Sequence, residues 1–494
     1  MSKRNKVLLA GGSVILAAVL MVGCGSNGGT VSDSPTSTPS GSVVTFGTDA
    51  PICDVESFIA TITSASLVQQ GGQSATLVTS AAPATVDFAR LTEFTNILST
   101  ASVTPGTYDQ LQMTLTNPQL YAFEVTANPQ IQSIPVTLTA TSFTISINPA
   151  LVVSSSTSTG LTLDFNLRKS LQVDGNGQVT GTVDPQITIT PNTLSGSTVG
   201  EADSLYGVVG TPSTSDLPTG FTGSFPLTVA DGVGQTYTIL SNSSTVFEGD
   251  GVTDFGDLQP NTFVEVDAIV NTAGQIIAQT VDAEEQTSPS SQRSAFLGKI
   301  IAITRDGGAS GNATSFTLLV DDEIPSLNGS VPLHSGLNVT LTASTHYFTN
   351  WQHWNRQAFT FSPMTLGVAE KVAVFGVLGS GSPPTMTADH VFLRPRNVFG
   401  NFNTLQAAGS DGKTGGFTMT PCGGLFLAQP ITVITYADTN FTGLSGLVNL
   451  TPAPTLNTRG DLFYEQTSGT SSQGASWTAP TWVLQARQVH QLPN

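Results

Sequence analysis

A segment that recurs three times in the C-terminal part of the chain constrains the fold more than any other feature. Each copy opens on a glycine within an apolar strand, and a second strand that begins with phenylalanine follows 18, 18 and 17 positions later. These pairs are Gly207 and Phe225, Gly298 and Phe316, and Gly400 and Phe417. Repetition at this spacing is typical of similar domains arrayed along one chain.

The other landmarks of each copy complete a set of five short strands. A Thr-x-Phe or Thr-x-x-Phe turn lies at residues 245–247, 345–348 and 439–441, and two more apolar strands end each copy. Five short strands is the count of a small barrel of the OB type. We therefore predict three five-stranded OB-like β-barrel repeats over residues 204–283, 295–396 and 398–491, the third being degenerate.

Composition supports an all-β fold. Only 10% of the residues are charged, and the chain has 49 glycines and 28 prolines. Many turn residues on a background of Ser, Thr and Val argue against helical bundles and coiled coils. The formal net charge is −18, from 16 basic and 34 acidic residues. No nucleic-acid partner is expected, because binding to phosphates needs clustered Lys and Arg.

Residues 43–191 precede the repeats and alternate between apolar and polar positions. This pattern predicts strands at residues 57–67, 108–116, 142–147 and 161–167, and we expect a β-sandwich-like domain. Residues 88–98 carry apolar side chains at the spacing of one helical face. That segment predicts a single short helix.

Two regions resemble known families. Residues 48–51 (TDAP), 86–91 (VDFARL) and 105–111 (PGTYDQL) resemble the domain of unknown function 4382, which occurs in exported bacterial lipoproteins and has no assigned activity. The repeats are similar to the domain of unknown function 5666, most closely at residues 258–266, where Asn261 replaces the usual Gly. These resemblances imply an exported location and leave the chemistry open.

The N-terminus carries a targeting signal. Lys3, Arg4 and Lys6 precede an apolar stretch over residues 7–23, as in an export signal. Residues 20–24 (LMVGC) resemble the lipobox of bacterial lipoproteins, which implies that residues 1–23 are removed and that Cys24 carries the acyl chains, palmitate among them. Residues 24–42 then form a flexible Gly/Ser/Thr/Pro tether. We expect an outer-membrane lipid anchor on the exported side of the bacterial envelope; the alternative is a buried cysteine in an uncleaved anchor.

The remaining cysteines and the histidines predict no catalytic or metal site. Cys53 and Cys422 form either a disulfide or two buried thiols. The five histidines, at positions 334, 346, 353, 390 and 490, have no partner at metal-ligand spacing on a predicted helix. Neither a Gly-x-Ser-x-Gly elbow nor a His-Glu-x-x-His helix is present. We predict no catalytic residue, no metal ligand and no cofactor.

Two further patterns have simple structural interpretations. Ala407 with Gly412-Lys413-Thr414 has the relaxed spacing of a phosphate-binding loop, but a strand follows where that loop requires a helix. We interpret it as a hairpin loop. Acidic residues at 248–257 and at 321–323 could bind calcium, and solvated loops are the favoured alternative.

One segment is the candidate ligand site. Residues 346–356 hold two of the four tryptophans, and exposed aromatic rings beside amide and guanidinium groups bind sugars or partner proteins. The candidate ligand-binding residues are Trp351, His353, Trp354 and Arg356; the alternative is that the two rings pack within the barrels. We predict a non-catalytic, lipid-anchored envelope protein with a structural, adhesive or ligand-binding role toward an envelope protein or glycan. The competing hypothesis is an exported enzyme that acts on glycans.

Overall fold

The structure is a computed structural model. It describes residues 40–49, 52–92, 96–124, 130–175, 178–192, 196–229, 236–249, 251–285, 293–308, 310–324, 331–349, 358–450 and 454–492. Within these ranges strands dominate, which confirms the all-β prediction. Residues 1–23 and Cys24 lie outside them, as does most of the predicted tether, and the first strand begins at Gly41. The described residues contain no helix whose length and apolarity would suffice to cross a bilayer.

The N-terminal domain contains thirteen strands, one helical turn, α1 (Leu167–Ser170), and one 3-10 turn (Phe88–Thr92). The strands are β1 (Gly41–Thr48), β2 (Val55–Gln69), β3 (Ser74–Val78), β4 (Ala84–Asp87), β5 (Asn96–Val103), β6 (Gly106–Phe123), β7 (Ile131–Ile134), β8 (Thr137–Leu138), β9 (Ser142–Val153), β10 (Ser158–Phe165), β11 (Leu171–Val173), β12 (Val179–Val183) and β13 (Ile187–Pro191).

Two sheets of this domain share one apolar core. The first has the order β13-β10-β1-β5, and the second has β3-β2-β6-β7, with β4 beside β2 and β9 beside β6. Phe58, Phe88 and Phe165 meet between the sheets with ring centroids 4.5–6.2 Å apart. The sandwich-like fold is confirmed. The helix predicted at residues 88–98 is wrong: Phe88 and Leu91 enter the core from a 3-10 turn, and strand β5 begins at Asn96.

The described residues of the three repeats form twenty strands. Barrel 1 has β14 (Thr198–Val209), β15 (Gly223–Val229), β16 (Thr236–Ser241), β17 (Val246–Gly249), β18 (Phe263–Asn271) and β19 (Ile276–Glu285). Barrel 2 has β20 (Arg293–Arg305), β21 (Ala313–Ile324), β22 (Gly336–Thr340), β23 (His346–Phe348), β24 (Lys371–Gly379) and β25 (Thr385–Arg394). Barrel 3 has β26 (Arg396–Ala408), β27 (Gly415–Pro421), β28 (Ile431–Thr435), β29 (Asn440–Thr442), β30 (Thr455–Glu465), β31 (Gly469–Thr470), β32 (Ser476–Trp477) and β33 (Thr481–Gln491). Short 3-10 turns lie at Phe255–Asp257, Gly424–Phe426 and Leu447–Asn449.

Five strands close each barrel in the same order. The ring of barrel 1 runs β16-β15-β14-β18-β19 and closes where β16 pairs with β19. Barrels 2 and 3 repeat this order with β22-β21-β20-β24-β25 and β28-β27-β26-β30-β33, so the degenerate third copy keeps the full ring. The prediction of three five-stranded barrels is confirmed. A sixth short strand, β17, β23 or β29, lies beside the last ring strand.

The glycine that opens each repeat is required by a close approach between strands. A β-carbon at Gly207, Gly298 or Gly400 would lie 2.4, 1.9 or 2.3 Å from a carbonyl oxygen of the paired strand. These separations are far below van der Waals contact, so a side chain at any of the three positions would push the first two strands of the ring apart. The phenylalanines of the motif, Phe225 and its equivalents, are buried in the cores.

The repeated threonine attaches the sixth strand to the ring. The Oγ1 atoms of Thr245, Thr345 and Thr439 donate to the carbonyls of Ala278, Ala388 and Ala486 at 2.8, 2.8 and 2.9 Å. This common bond also fixes the alignment of the copies. The equivalent of Phe247 and Phe441 is Tyr347, because each follows its threonine by two positions. Matching Phe348 to them, as the Thr-x-x-Phe pattern does, is wrong by one residue.

Neighbouring domains share apolar cores. Phe46 and Ile97 of the N-terminal domain belong to the core of barrel 1. Phe263 of barrel 1 and Phe375 of barrel 2 lie in one cluster, and Phe463 of barrel 3 belongs to the core of barrel 2. Barrels 2 and 3 are joined through a single residue, since β25 ends at Arg394 and β26 begins at Arg396. The described domains therefore pack as one body.

Candidate functional site

A disulfide joins the first domain to the last. Cys53 and Cys422 are bridged with their Cα atoms 5.6 Å apart, across a sequence separation of 369 residues. The sequence left two alternatives, a disulfide or two separately buried thiols, and the structure has the disulfide. It places the start of β2 beside the end of β27.

Polar contacts surround the bridge and strengthen this joint. The Asp54 Oδ1 atom accepts a hydrogen bond from the Gly424 N–H at 2.7 Å, and burial raises the pKa of that carboxyl. Lys299 Nζ of barrel 2 lies 2.7 Å from Glu56 Oε2. Arg90 forms an ion pair with the buried Asp322, whose pKa burial raises to about 7. The N-terminal domain thus contacts barrels 2 and 3 through charged groups as well as the covalent bridge.

An open groove of about 440 Å³ lies where these three domains meet. The N-terminal domain contributes Phe123 and Gln130 to its wall. The other lining side chains are mainly apolar or aromatic: Ile301, Ile303 and Arg305 from barrel 2 and its connecting residue Val368, with Leu425, Leu427, Tyr464 and Trp482 from barrel 3. The volume falls in the range of small-molecule sites, about 300–1,000 Å³.

Aromatic rings form one side of the groove. Tyr464 and Trp482 lie with centroids 5.4 Å apart, and Phe426 packs against the other side of Trp482 at 5.5 Å. Trp482 is buried and its Nε1–H donates to the Val368 carbonyl at 2.8 Å, so its polar edge is satisfied. Tyr464 is half-buried and presents ring surface to the groove.

Arg305 is the cation among the described lining residues, and its guanidinium donates hydrogen bonds to backbone carbonyls. Arg305 Nη1 donates to the carbonyls of Gly311, Pro363 and Met364 at 2.9–3.3 Å, and Nη2 donates to that of Leu366. Its guanidinium carbon lies 5.9 Å from the centre of the Tyr464 ring. Arg305 therefore holds the 363–366 loop and the groove wall.

A fully buried carboxyl group fixes the floor beneath the groove. Glu370 accepts from the Gly367 N–H at 2.9 Å and from the Tyr464 N–H at 3.0 Å, which ties barrel 2 to β30 of barrel 3. Burial raises its pKa well above the usual range. A β-carbon on Gly367 would lie 2.4 Å from the Tyr464 Cβ, so only glycine permits this approach.

A second cavity, next to the disulfide, is polar and small. It has a volume of about 80 Å³ and is lined by Cys53, Asp54, Glu56, Arg90 and Lys299, among others. At about 30 Å³ of liquid volume per water, a space of this size suits a few water molecules.

None of the sequence-predicted site residues falls within the part of the chain that the structure describes. Trp351, His353, Trp354 and Arg356 lie outside the described residues, and Cys24 does also. Lys413 lies in the hairpin between β26 and β27, where Asp411 Oδ1 accepts from the Lys413 and Thr414 N–H groups at 2.9 Å. The hairpin interpretation is therefore correct.

The acidic segment at residues 321–323 is not a solvated loop, whereas Asp254 and Asp257 of the other segment lie in a solvated turn, as expected. Asp321, Asp322 and Glu323 are buried on strand β21. Asp254 and Asp257 cap the 3-10 turn between them, and Glu248 is buried. Across the described ranges no group of three or more His, Cys, Asp or Glu side chains is placed to hold a metal ion.

Sequence reasoning missed the groove because its walls come from three domains. Tyr464 and Trp482 lie on predicted strands, but nothing in the alternation of those strands shows that the rings face a neighbouring domain. A usable signal was present in Gly367, since a glycine in an otherwise apolar stretch indicates a close backbone approach.

Of the comparisons with known proteins, one matches the N-terminal region to a described family. No curated protein matches the sequence. A solved structure described as "drosophila Unr CSD456" is 11% identical and covers 59% of this chain and 97% of its own, with a TM-score of 0.14. A deletion mutant of the single-stranded DNA binding protein from Thermus aquaticus is 12% identical and covers 40% of this chain and 95% of its own, with a TM-score of 0.12. Residues 40–180 match the family described as "Domain of unknown function (DUF4382)", which confirms the resemblance of the N-terminal domain to that family.

Proposed function

We propose that the chain is an exported, lipid-anchored and non-catalytic protein of the bacterial cell envelope, whose groove binds a small uncharged ligand with an apolar face. The observation that carries this proposal is the groove itself, about 440 Å³ in volume and lined mainly by apolar and aromatic side chains from three domains. A lining of this kind binds a ligand mainly through apolar contact area, and Tyr and Trp rings supply that area at a low cost in side-chain entropy.

The low number of charged groups in the lining supports an uncharged ligand. Among the described lining residues Arg305 is the one charged side chain, and its guanidinium donates to backbone carbonyls of the groove wall. The described lining residues include no carboxylate and no histidine, so the groove as described holds no pair of groups for acid–base hydrolysis of a glycosidic bond. This favours binding over the alternative of an enzyme that acts on glycans.

Two features support export and anchoring. Disulfides persist in oxidising compartments, and the Cys53–Cys422 bridge fits such a location. The basic and apolar N-terminal segment that ends at Cys24 resembles a lipoprotein signal. We also infer that the three barrels are divergent copies of a module similar to the domain of unknown function 5666.

Equilibrium dialysis against 4-methylumbelliferyl glucoside tests the proposal. This uncharged molecule carries both an aromatic ring and a sugar ring, and it becomes more fluorescent if its glycosidic bond is cleaved. We expect the full-length protein to bind it without cleavage. Ile303→Asp and Leu427→Asp, which place a carboxylate against the apolar wall, should each weaken binding at least tenfold, a change of about 1.4 kcal/mol.

Val448→Asp is the matched control. Val448 is 63% exposed and Leu427 is 64% exposed, but Val448 lies outside the groove. The control should bind as the unaltered protein does. Equal binding by all the variants would refute the groove as the site, and release of 4-methylumbelliferone by the unaltered protein would favour the enzyme instead.

A further inference from the structure

Two histidines from distant parts of barrel 2 lie side by side on its surface. Strands β23 and β25 run parallel, and their register places His346 directly opposite His390. The two imidazole centroids are 5.6 Å apart, with the ring planes inclined by 33°. His346 is exposed and His390 is half-buried, so solvent reaches the pair.

The other two barrels show that the fold does not need histidine at this pair of positions. The threonine that bonds to the alanine carbonyl sets the same register in every copy. At the positions of His346 and His390, barrel 1 has Val246 opposite Thr280, and barrel 3 has Asn440 opposite Gln488. The barrel therefore accommodates aliphatic, hydroxyl and amide side chains at these positions, and the imidazoles of barrel 2 call for another explanation.

The spacing of the rings suits one shared metal ion. An imidazole nitrogen lies about 1.1 Å from its ring centre and binds Zn²⁺ at about 2.0–2.1 Å, which puts the ion about 3.2 Å from each centre. Two such rings that subtend an angle of about 110–120° at the ion have centres about 5.2–5.5 Å apart. The observed 5.6 Å is close to this tetrahedral range. Cis imidazoles on a tetragonal Cu²⁺ ion would have centres about 4.5 Å apart, so binding of Cu²⁺ requires a rotation of the exposed His346 side chain. Each ring needs only one nitrogen for the metal, and its second nitrogen remains available for a hydrogen bond.

Aromatic side chains support the pair from one side. Phe348 and Phe392 form the next opposed pair along the same strands, with centroids 4.7 Å apart and nearly parallel rings. Phe348 also lies 5.5 Å from the His390 ring. An apolar neighbour of this kind limits solvent access to one side of a metal and restricts the rotation of the imidazole.

We propose that His346 and His390 form a surface site for a late first-row divalent metal ion, with solvent completing the coordination. Imidazole nitrogen suits Cu²⁺, Ni²⁺ and Zn²⁺, and the order of affinities predicts that Cu²⁺ binds most tightly. The described residues add no third His, Cys, Asp or Glu to the pair, and a two-imidazole site of this kind exchanges its metal readily.

Titration of the full-length protein with Cu²⁺ tests the site. Calorimetry measures the affinity, and electron paramagnetic resonance at one equivalent of Cu²⁺ identifies the nitrogen ligands. The resonance spectrum should show coupling to two equivalent nitrogens. His346→Asn and His390→Gln introduce the residues that barrel 3 has at these positions, so both variants should fold. Each should weaken Cu²⁺ binding about tenfold or more and reduce the nitrogen coupling to one ligand.

His490→Gln is the control, because His490 is an exposed histidine on a strand of barrel 3. It should bind Cu²⁺ as the unaltered protein does. A circular-dichroism melting curve for each variant establishes that it is folded. Folded variants at positions 346 and 390 that retain the affinity and the two-nitrogen spectrum would overturn the proposal, as would an unaltered protein that fails to bind Cu²⁺ at 100 µM, a concentration of about the weakest affinity a two-imidazole site would have.

Discussion

Asp282 makes the contact between the barrels sensitive to pH. Its carboxylate lies 3.5 Å from Arg394 of barrel 2, and the same guanidinium lies 3.4 Å from Glu265. Arg459 of barrel 3 reaches the other oxygen of Glu265 at 3.7 Å. Burial, together with the carboxylates of Glu265 and Glu248, raises the pKa of Asp282 to about 7 despite the opposing effects of Arg394 and Arg487.

The sign of the resulting pH dependence follows from proton binding. Between an ordinary pKa near 4 and the raised value, folded Asp282 holds a proton that the unfolded chain has released. The contribution of Asp282 to the free energy of unfolding is therefore largest below pH 4 and decreases as the pH rises toward 7. Above pH 7 the full destabilisation by the buried carboxylate is present.

Asp282→Asn should flatten this dependence, because the amide resembles the protonated carboxyl at every pH. Each unit of pKa shift corresponds to about 1.4 kcal/mol, so the variant should lose about 2–4 kcal/mol less stability than the unaltered protein between pH 4.5 and 7.5. Urea unfolding at both pH values measures the difference. Asp216→Asn, at an exposed turn, is the control and should follow the unaltered protein. Equal slopes for Asp282→Asn and the control would contradict the prediction.

At the scale of elements, each barrel attaches its shortest strand through one side chain. Strands β17, β23 and β29 contain only three or four residues, which is too little pairing to hold a strand by itself. The threonine before each strand adds two bonds. In barrel 3, Thr439 Oγ1 donates to the Ala486 carbonyl at 2.9 Å and accepts from the Tyr436 N–H at 2.8 Å.

Thr439→Val should destabilise the protein by about 1–3 kcal/mol. Valine keeps the shape of the side chain, but the buried Tyr436 N–H and the buried Ala486 carbonyl lose their hydrogen bonds to the hydroxyl. Removing one side of a buried hydrogen bond costs more than replacing both partners by apolar groups. Thr439→Ser keeps the hydroxyl and should cost clearly less. The free energy of unfolding in urea measures both changes. If serine proved as costly as valine, lost packing of the methyl group would explain the effect and the hydroxyl would not.

The same elements show what the sequence could predict. The repeated glycine and phenylalanine identified the first two strands of every ring, because close approach and core burial leave few residues possible at those positions. The third ring strands, β16, β22 and β28, share no marker residue, so the sequence pattern does not reveal them. The threonine turn takes their place in the predicted set of five strands. Tyr347 was mistaken for a spacer because an aromatic residue follows it and the alternation of a three-residue strand is too short to decide the register.

The groove and the disulfide lay beyond sequence reasoning for a different reason. Phe123, Ile303 and Trp482 belong to three domains, and their proximity depends on how whole domains pack. Likewise, the separation of Cys53 and Cys422 along the chain says nothing about their distance in space. Strand alternation reports which side of a strand is buried, but it does not report whether the neighbour is the same domain or another.

For the whole molecule, the anchor should decide where the protein resides. Cys24 follows the predicted export signal and lies outside the described residues, so the anchor is a prediction from sequence. Labelled palmitate should be incorporated into the unaltered protein, while Cys24→Ser should carry no label and should appear in the soluble fraction. A protein with both Cys53→Ser and Cys422→Ser should keep the label. Label on the Cys24→Ser protein would contradict the lipobox assignment.

The bridge between the first and last domains also sets an order of events during folding. Cys53 precedes Cys422 by 369 residues, and domains generally fold as units, the N-terminal one first as the chain is made. The bridge can therefore form only after residue 422 has been made and the end of β27 lies beside the start of β2. Closure of the bridge is thus a covalent mark of a complete molecule, because a chain that stops before residue 422 cannot form it.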